Sequence, residues 1–89
     1  MSDKGDLAVE QEQISFTATA KCADFECLCV GVTLHATEDC HISFDGEVAT
    51  TGHFLLKADT MLNIPNIKFT KIWAIRNSSS GTLYIMARR

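Results

Sequence analysis

The sequence predicts an all-β domain, a small antiparallel β-sandwich or barrel of about seven or eight short strands behind a flexible N-terminal arm. Three observations predict it. Apolar residues alternate with polar ones over short runs, beginning with Ile14, Phe16, Ala18 and Ala20 against Ser15, Thr17 and Thr19. Turn-forming clusters separate the runs at short intervals, among them Asp45-Gly46, Asn63-Ile64-Pro65-Asn66 and Asn77-Ser78-Ser79-Ser80-Gly81. No stretch of ten or more residues carries a 3.6-residue period; the nearest, Lys57–Leu62, amounts to a single turn.

Taken in order, residues 1–13 form the arm and residues 14–89 the domain. The arm is polar or acidic apart from Leu7-Ala8-Val9. After the first strand, Cys22–Glu26 is a short and weaker strand. Val30, Val32, Leu34 and Ala36 mark the next, and Cys40, Ile42 and Phe44 the one after. Phe54, Leu56 and Ala58 form a further inward set. Pro65 lacks the N–H a strand ladder needs, which places residues 63–66 in a loop. Lys68–Arg76 and Thr82–Ala87 close the chain as two strands flanking the serine-rich turn.

Those last two strands are apolar on both faces. Ile72 and Ala74 oppose Trp73 and Ile75, and Leu83 and Ile85 oppose Tyr84 and Met86. One layer of a sandwich needs only one apolar face. The second face is covered either by a loop or the arm, or by another subunit, where Trp, Tyr and Met are enriched. Trp73, Tyr84 and Met86 are therefore the candidate oligomer contacts, and Leu7, Ala8 and Val9 a candidate docking arm.

The chain has 89 residues, enough for one domain, and is 46% hydrophobic, enough for a core. A domain of this size buries only about 60–65% of its unfolded surface, so association is a common remedy for modest stability. No apolar run approaches the roughly 18 residues of a membrane helix, and the polar start, Met1 to Asp6, has no apolar region of a secretory signal after it. A net charge of -3, with Arg88-Arg89 the only basic cluster, disfavours phosphate-backbone binding.

Four cysteines, Cys22, Cys27, Cys29 and Cys40, and three histidines, His35, His41 and His53, are the groups with latent chemistry. Cys27-Leu28-Cys29 is a lone C-x-C and lacks the paired spacing of a structural zinc site. Buried free thiols acting as small hydrophobes are the expectation. His41, Ser43 and Asp45 fall on one strand face about 7 Å apart, too far for the direct hydrogen bonds of a catalytic triad. Asp39, Asp45, Glu47 and Asp59 do not follow a calcium-loop spacing. No nucleophile elbow, phosphate loop or metalloprotease motif is present. The residues thus predict no enzyme, no metal and no cofactor.

One longer pattern remains. Cys40-His41-Ile42-Ser43-Phe44-Asp45-Gly46 is followed by Thr50-Thr51-Gly52-His53-Phe54-Leu55-Leu56-Lys57-Ala58, then Thr70–Arg76, then Ser79-Ser80-Gly81-Thr82-Leu83-Tyr84-Ile85. This order resembles small β-sandwich proteins encoded among the structural genes of tailed bacteriophages, over about residues 14–88. The Cys22–Cys29 segment departs from that pattern. The resemblance implies a virion component made in the host bacterial cytoplasm: a capsid decoration, or cement, protein on the capsid surface. Its partners would be the major capsid protein and further copies of itself, as a homotrimer. A tail, collar or head-fibre module and a carbohydrate-binding attachment domain are the alternatives.

Overall fold

A computed structural model describes residues 9–44 and 48–89. The predicted class is what forms: eight strands in two antiparallel four-stranded sheets, with no helix among the described residues. The strands are β1 (Val9–Phe16), β2 (Lys21–Cys29), β3 (Gly31–Ala36), β4 (Cys40–Phe44), β5 (Phe54–Leu56), β6 (Met61–Ile64), β7 (Phe69–Arg76) and β8 (Gly81–Arg88). Sheet I runs β1-β8-β3-β6 and sheet II runs β2-β7-β4-β5. All successive strands but β4 and β5 lie in different sheets, so the chain wraps as a jelly roll.

The core is the inner alternation of both sheets. Phe16, Leu34 and Leu83 of sheet I and Phe25, Phe69 and Ile72 of sheet II are fully buried. Each contributes about 1.5–3 kcal/mol by leaving water. Phe69 is the hub of the aromatic part. Its ring meets Phe25 edge-on at 5.7 Å and 79°, and Phe44 at 5.3 Å and 60°, geometries that bring ring edge to ring face.

Five details differ from the sequence expectations. β1 begins at Val9, so residues 9–13 belong to the sheet and not to the arm; Val9 pairs with Arg88, and all eight β1 residues have a partner in β8. The strand ends at Phe16, while Ala18 and Ala20 continue the alternation in the connection beyond it. β2 runs on to Cys29 through an irregularity. Asp24 Oδ1 accepts from the Glu26 N–H at 2.9 Å, and Glu26 takes a φ of 59°. Five steps of β2 therefore face two of β7 between the Asp24–Lys71 and Cys29–Phe69 pairs. Residues 61–64 form a strand paired with β3, and the loop starts only at Pro65. Phe54 faces solvent, because β5 is three residues long and only Leu56 reaches the core.

The ends of the strands are tied together around Asp39. Its Oδ1 accepts from the Ala58 N–H at 2.6 Å, its Oδ2 lies 3.5 Å from Lys57 Nζ, and its backbone carbonyl accepts from the Asn77 N–H at 3.2 Å. The Ala58 N–H first, and Lys57 after it, hold the Asp39 carboxyl below its usual range. Three connections thus meet at one residue.

Candidate functional surfaces

Tyr84 and Met86 stand on the outer face of sheet I because Leu83, Ile85 and Ala87 take the inner one. Both are 49% exposed. The register sets Tyr84 between Gln13 of β1 and His35 of β3, and Met86 between Gln11 and Thr33. Met61, 69% exposed on β6, lies opposite His35. Twist makes this face a shallow, open concavity of about 720 Å³ lined by these side chains. Its polar members are the Gln11 and Gln13 amides, the Glu12 carboxylate, the Thr33 and Tyr84 hydroxyls and the His35 imidazole. Thr33 donates to Asn63 Oδ1 at 3.1 Å, and His35 lies 3.9 Å from Asp59.

Trp73 is elsewhere. It stands on the outer face of sheet II, half-buried, between Cys22 and Ser43. The three residues expected at one interface therefore sit on opposite sides of the sandwich. The Trp73 indole N–H is buried with no hydrogen-bond partner among the described residues. Of the docking arm, Leu7 and Ala8 lie outside the described residues, and Val9 is part of the β1 backbone.

The β4 part of the sheet II outer face is covered by its own chain, while Cys22 and Leu55 on the same face stay exposed. His41 and Ser43 point outward by parity yet are buried, at 7% and 5% exposure. The cover is the segment after β4. His41 Nδ1–H donates to the His53 carbonyl at 2.9 Å, and Nε2 lies 3.0 Å from Asn77 Oδ1. A neutral ring satisfies both contacts once the Asn77 amide is turned to donate; only the imidazolium donates to the oxygen. Thr50–His53 is a tight turn in which the His53 N–H donates to the Thr50 carbonyl and the Thr50 N–H donates to His53 Nδ1. Ala49 is buried within this segment, outside the core between the sheets. The bland alternative for a two-faced apolar strand, a loop laid over it, thus applies to sheet II. His41 acts there as a buried strut, a role its place on the outward parity hid.

The cysteines are free thiols: Cys22 exposed, Cys27 half-buried, Cys29 and Cys40 buried. Burial pushes the Cys40 thiol up to about 11, with Asp39 adding to it. Burial also pushes Cys29 up to about 11, reinforced by the adjacent Cys27 thiol. Burial raises Cys22 as well. A thiol held neutral in this way is a poor nucleophile and a poor metal ligand near neutral pH. Among the described residues no three His, Cys, Asp or Glu side chains are grouped to hold a metal ion.

Sheet I therefore presents an uncovered outer face of mixed apolar and polar character, while Leu28, Val48, Phe54 and Leu55 are exposed apolar side chains elsewhere among the described residues. No family model matches the chain, and neither a curated protein nor a solved structure matches it.

Proposed function

We propose that the chain is a non-catalytic structural subunit held against other proteins through the outer face of sheet I. In its specific form, the reading is a decoration protein seated on the major capsid protein of a phage shell. The observation that carries it is the cluster of exposed Tyr84, Met86 and Met61 around a concavity. Rigid aromatic and methionine side chains give large contact area at low entropic cost, and they are enriched where proteins meet. Jelly rolls serve in viral capsids, lectins and cupins alike, so the topology agrees with this reading by analogy without selecting it. The likeness of residues 14–88 to phage structural proteins is what favours the capsid among protein partners.

A second reading has its own support. Tyr84 is flanked by Gln13 and lies near Gln11 and His35, the mix of ring face and amides that holds a sugar. Under it, the sheet I face binds a glycan.

The test is copy number in particles purified from cells producing this chain, by quantitative gel and cryo-EM, with the Tyr84→Ser/Met86→Ser double variant beside the wild type. Hundreds of copies over the shell, reduced at least tenfold in the variant, support the proposal. A few copies at one vertex move it to the tail. Absence from particles together with binding on a glycan array replaces it with the second reading.

A further inference from the structure

The four sheet edges of this molecule are unequal. β5 is three residues long, and β6 has four before Pro65. β2 is broken by the Asp24–Glu26 irregularity. Short strands, proline, bulges and inward-pointing charges are devices by which proteins blunt an edge. β1 has only the last of these, Glu10 and Glu12 on its inward parity, which leaves its backbone edge unbroken. It is eight residues long, without proline, glycine or lysine, and paired in unbroken register with β8.

Two hydrogen bonds show which way its backbone points. The carbonyls of Thr82 and Arg88 accept from the N–H groups of Thr37 and Val30, at 2.9 and 2.6 Å. Both donors belong to the β3 side. In an antiparallel ladder, a residue's N–H and C=O point to the same side, and successive residues alternate. Thr82, Tyr84, Met86 and Arg88 therefore bond toward β3, and Leu83, Ile85 and Ala87 toward β1. Their partners on β1 are Ile14, Glu12 and Glu10. The N–H and C=O groups of Gln11, Gln13 and Ser15 consequently point away from β8, and among the described residues no strand lies beyond them.

We infer that β1 is a strand-addition edge whose occupant is β1 of a second copy, antiparallel about a two-fold axis. Three arguments select a second copy. An edge so open needs an equally open edge to pair with, and the other three edges of the described molecule are blunted. Pairing of β1 with itself is isologous and closes at two subunits, so it does not propagate into a fibre. A register of good length also exists. Centred on Gln13, it sets Gln13 against the partner's Gln13, Gln11 against the partner's Ser15, and Glu12 against the partner's Ile14. Shifting the centre to Glu12 sets two carboxylates face to face, which is unfavourable. Glu10 is already engaged, with Arg89 Nε 3.4 Å from its Oε2. The result is a continuous eight-stranded sheet, β6-β3-β8-β1 followed by its two-fold image, with both concave faces on one side. The homotrimer implied by the family resemblance would need a different contact.

This inference is independent of the capsid reading, and either can fail without the other. The test uses the full chain. Sedimentation equilibrium from low micromolar to millimolar concentration should show a monomer–dimer equilibrium. Gln13→Pro removes one edge N–H and no β1–β8 bond, since the Gln13 backbone faces outward. It should weaken dimerisation at least tenfold with the thermal midpoint of the monomer little changed. Hydrogen exchange on the wild type covers the case in which that variant does not fold. Amide protection at Gln11, Gln13 and Ser15 should rise with concentration, while Glu12 and Ile14 stay protected throughout. A monomer at every concentration, an undiminished dimer in Gln13→Pro, or a dimer lost in Tyr84→Ser/Met86→Ser but not in Gln13→Pro would each overturn the assignment.

Discussion

Single side chains in this molecule mostly close connections. Asp39 is the clearest case, because one carboxylate takes the Ala58 N–H and faces Lys57 while its own backbone takes the Asn77 N–H. Its folded-state pKa lies below the ordinary 3.8. A carboxyl shifted down contributes stability above its unfolded pKa and loses it as pH falls through the folded value. Asp39→Asn keeps an acceptor oxygen but not the charge. The wild type should therefore be the more stable of the two at about pH 5 and above, and the gap should close below pH 3.8 as acid is added. Thermal unfolding of both proteins across the acid range measures it. Parallel curves would mean that the charge adds nothing beyond the hydrogen bond. His41 is a strut of the same kind on the other side of β4. Neither role was written in the sequence, where both residues carry catalytic potential as types and neither has neighbours at the spacing that chemistry requires.

At the scale of elements, the strands were legible and their edges were not. Period-two alternation marks β3 and β4, and apolar runs bounded by turn signals mark β7 and β8. The alternation failed where another constraint took over. Ala18 and Ala20 keep the pattern after Phe16 has ended the strand. Phe54 keeps it on a strand too short to carry it inward. Met61–Ile64 was hidden by the nearby Pro65, which ends this strand without disrupting its pairs. Trp73, Tyr84 and Met86 share an outward parity, but strand order alone decides that β7 and β8 lie in different sheets, and parity holds no information about order. Gly81 is a similar lesson at the turn before β8. The sequence places it in the serine-rich turn-forming cluster. Its role in the fold is to let another connection approach, since a Cβ there would lie 2.7 Å from Thr37 Oγ1 and 2.9 Å from Glu38 Cγ. Glu38 can move aside, but Thr37 Oγ1 is held by accepting the Thr82 N–H at 2.9 Å. Gly81→Ala should accordingly cost about 1–3 kcal/mol by overpacking. Adding Thr37→Ala should recover part of that cost, because neighbours that share one space are not additive. Denaturant titration of the two single variants and the double decides it, and strict additivity would show that the contact is relieved elsewhere.

For the whole molecule, the consequence of the winding is that the chain's end supplies its middle. β8 lies between β1 and β3, and β7 lies between β2 and β4. Phe69–Arg76 and Gly81–Arg88 are thus each an inner strand of one sheet, and neither sheet is complete until its own is in place. Among the described residues β1 reaches its one ladder partner across nearly the full length of the chain, from Val9 to Arg88. Local contacts therefore give little stability before distant ones form, and the entropy of closing long loops is lost first. Folding should be cooperative and slow for so small a chain, in the millisecond-to-second range typical of non-local β topologies. Trp73, the single tryptophan, reports it by stopped-flow fluorescence. Ending the chain after Ser80 removes β8 alone and leaves the reporter on β7 in place. That fragment should show no cooperative thermal transition, because β1 then has no partner and β3 keeps only the four-residue β6. A sharp transition in the fragment would mean that sheet II folds by itself, and the jelly roll would then be two units laid together, not one nucleus closed by its last strand.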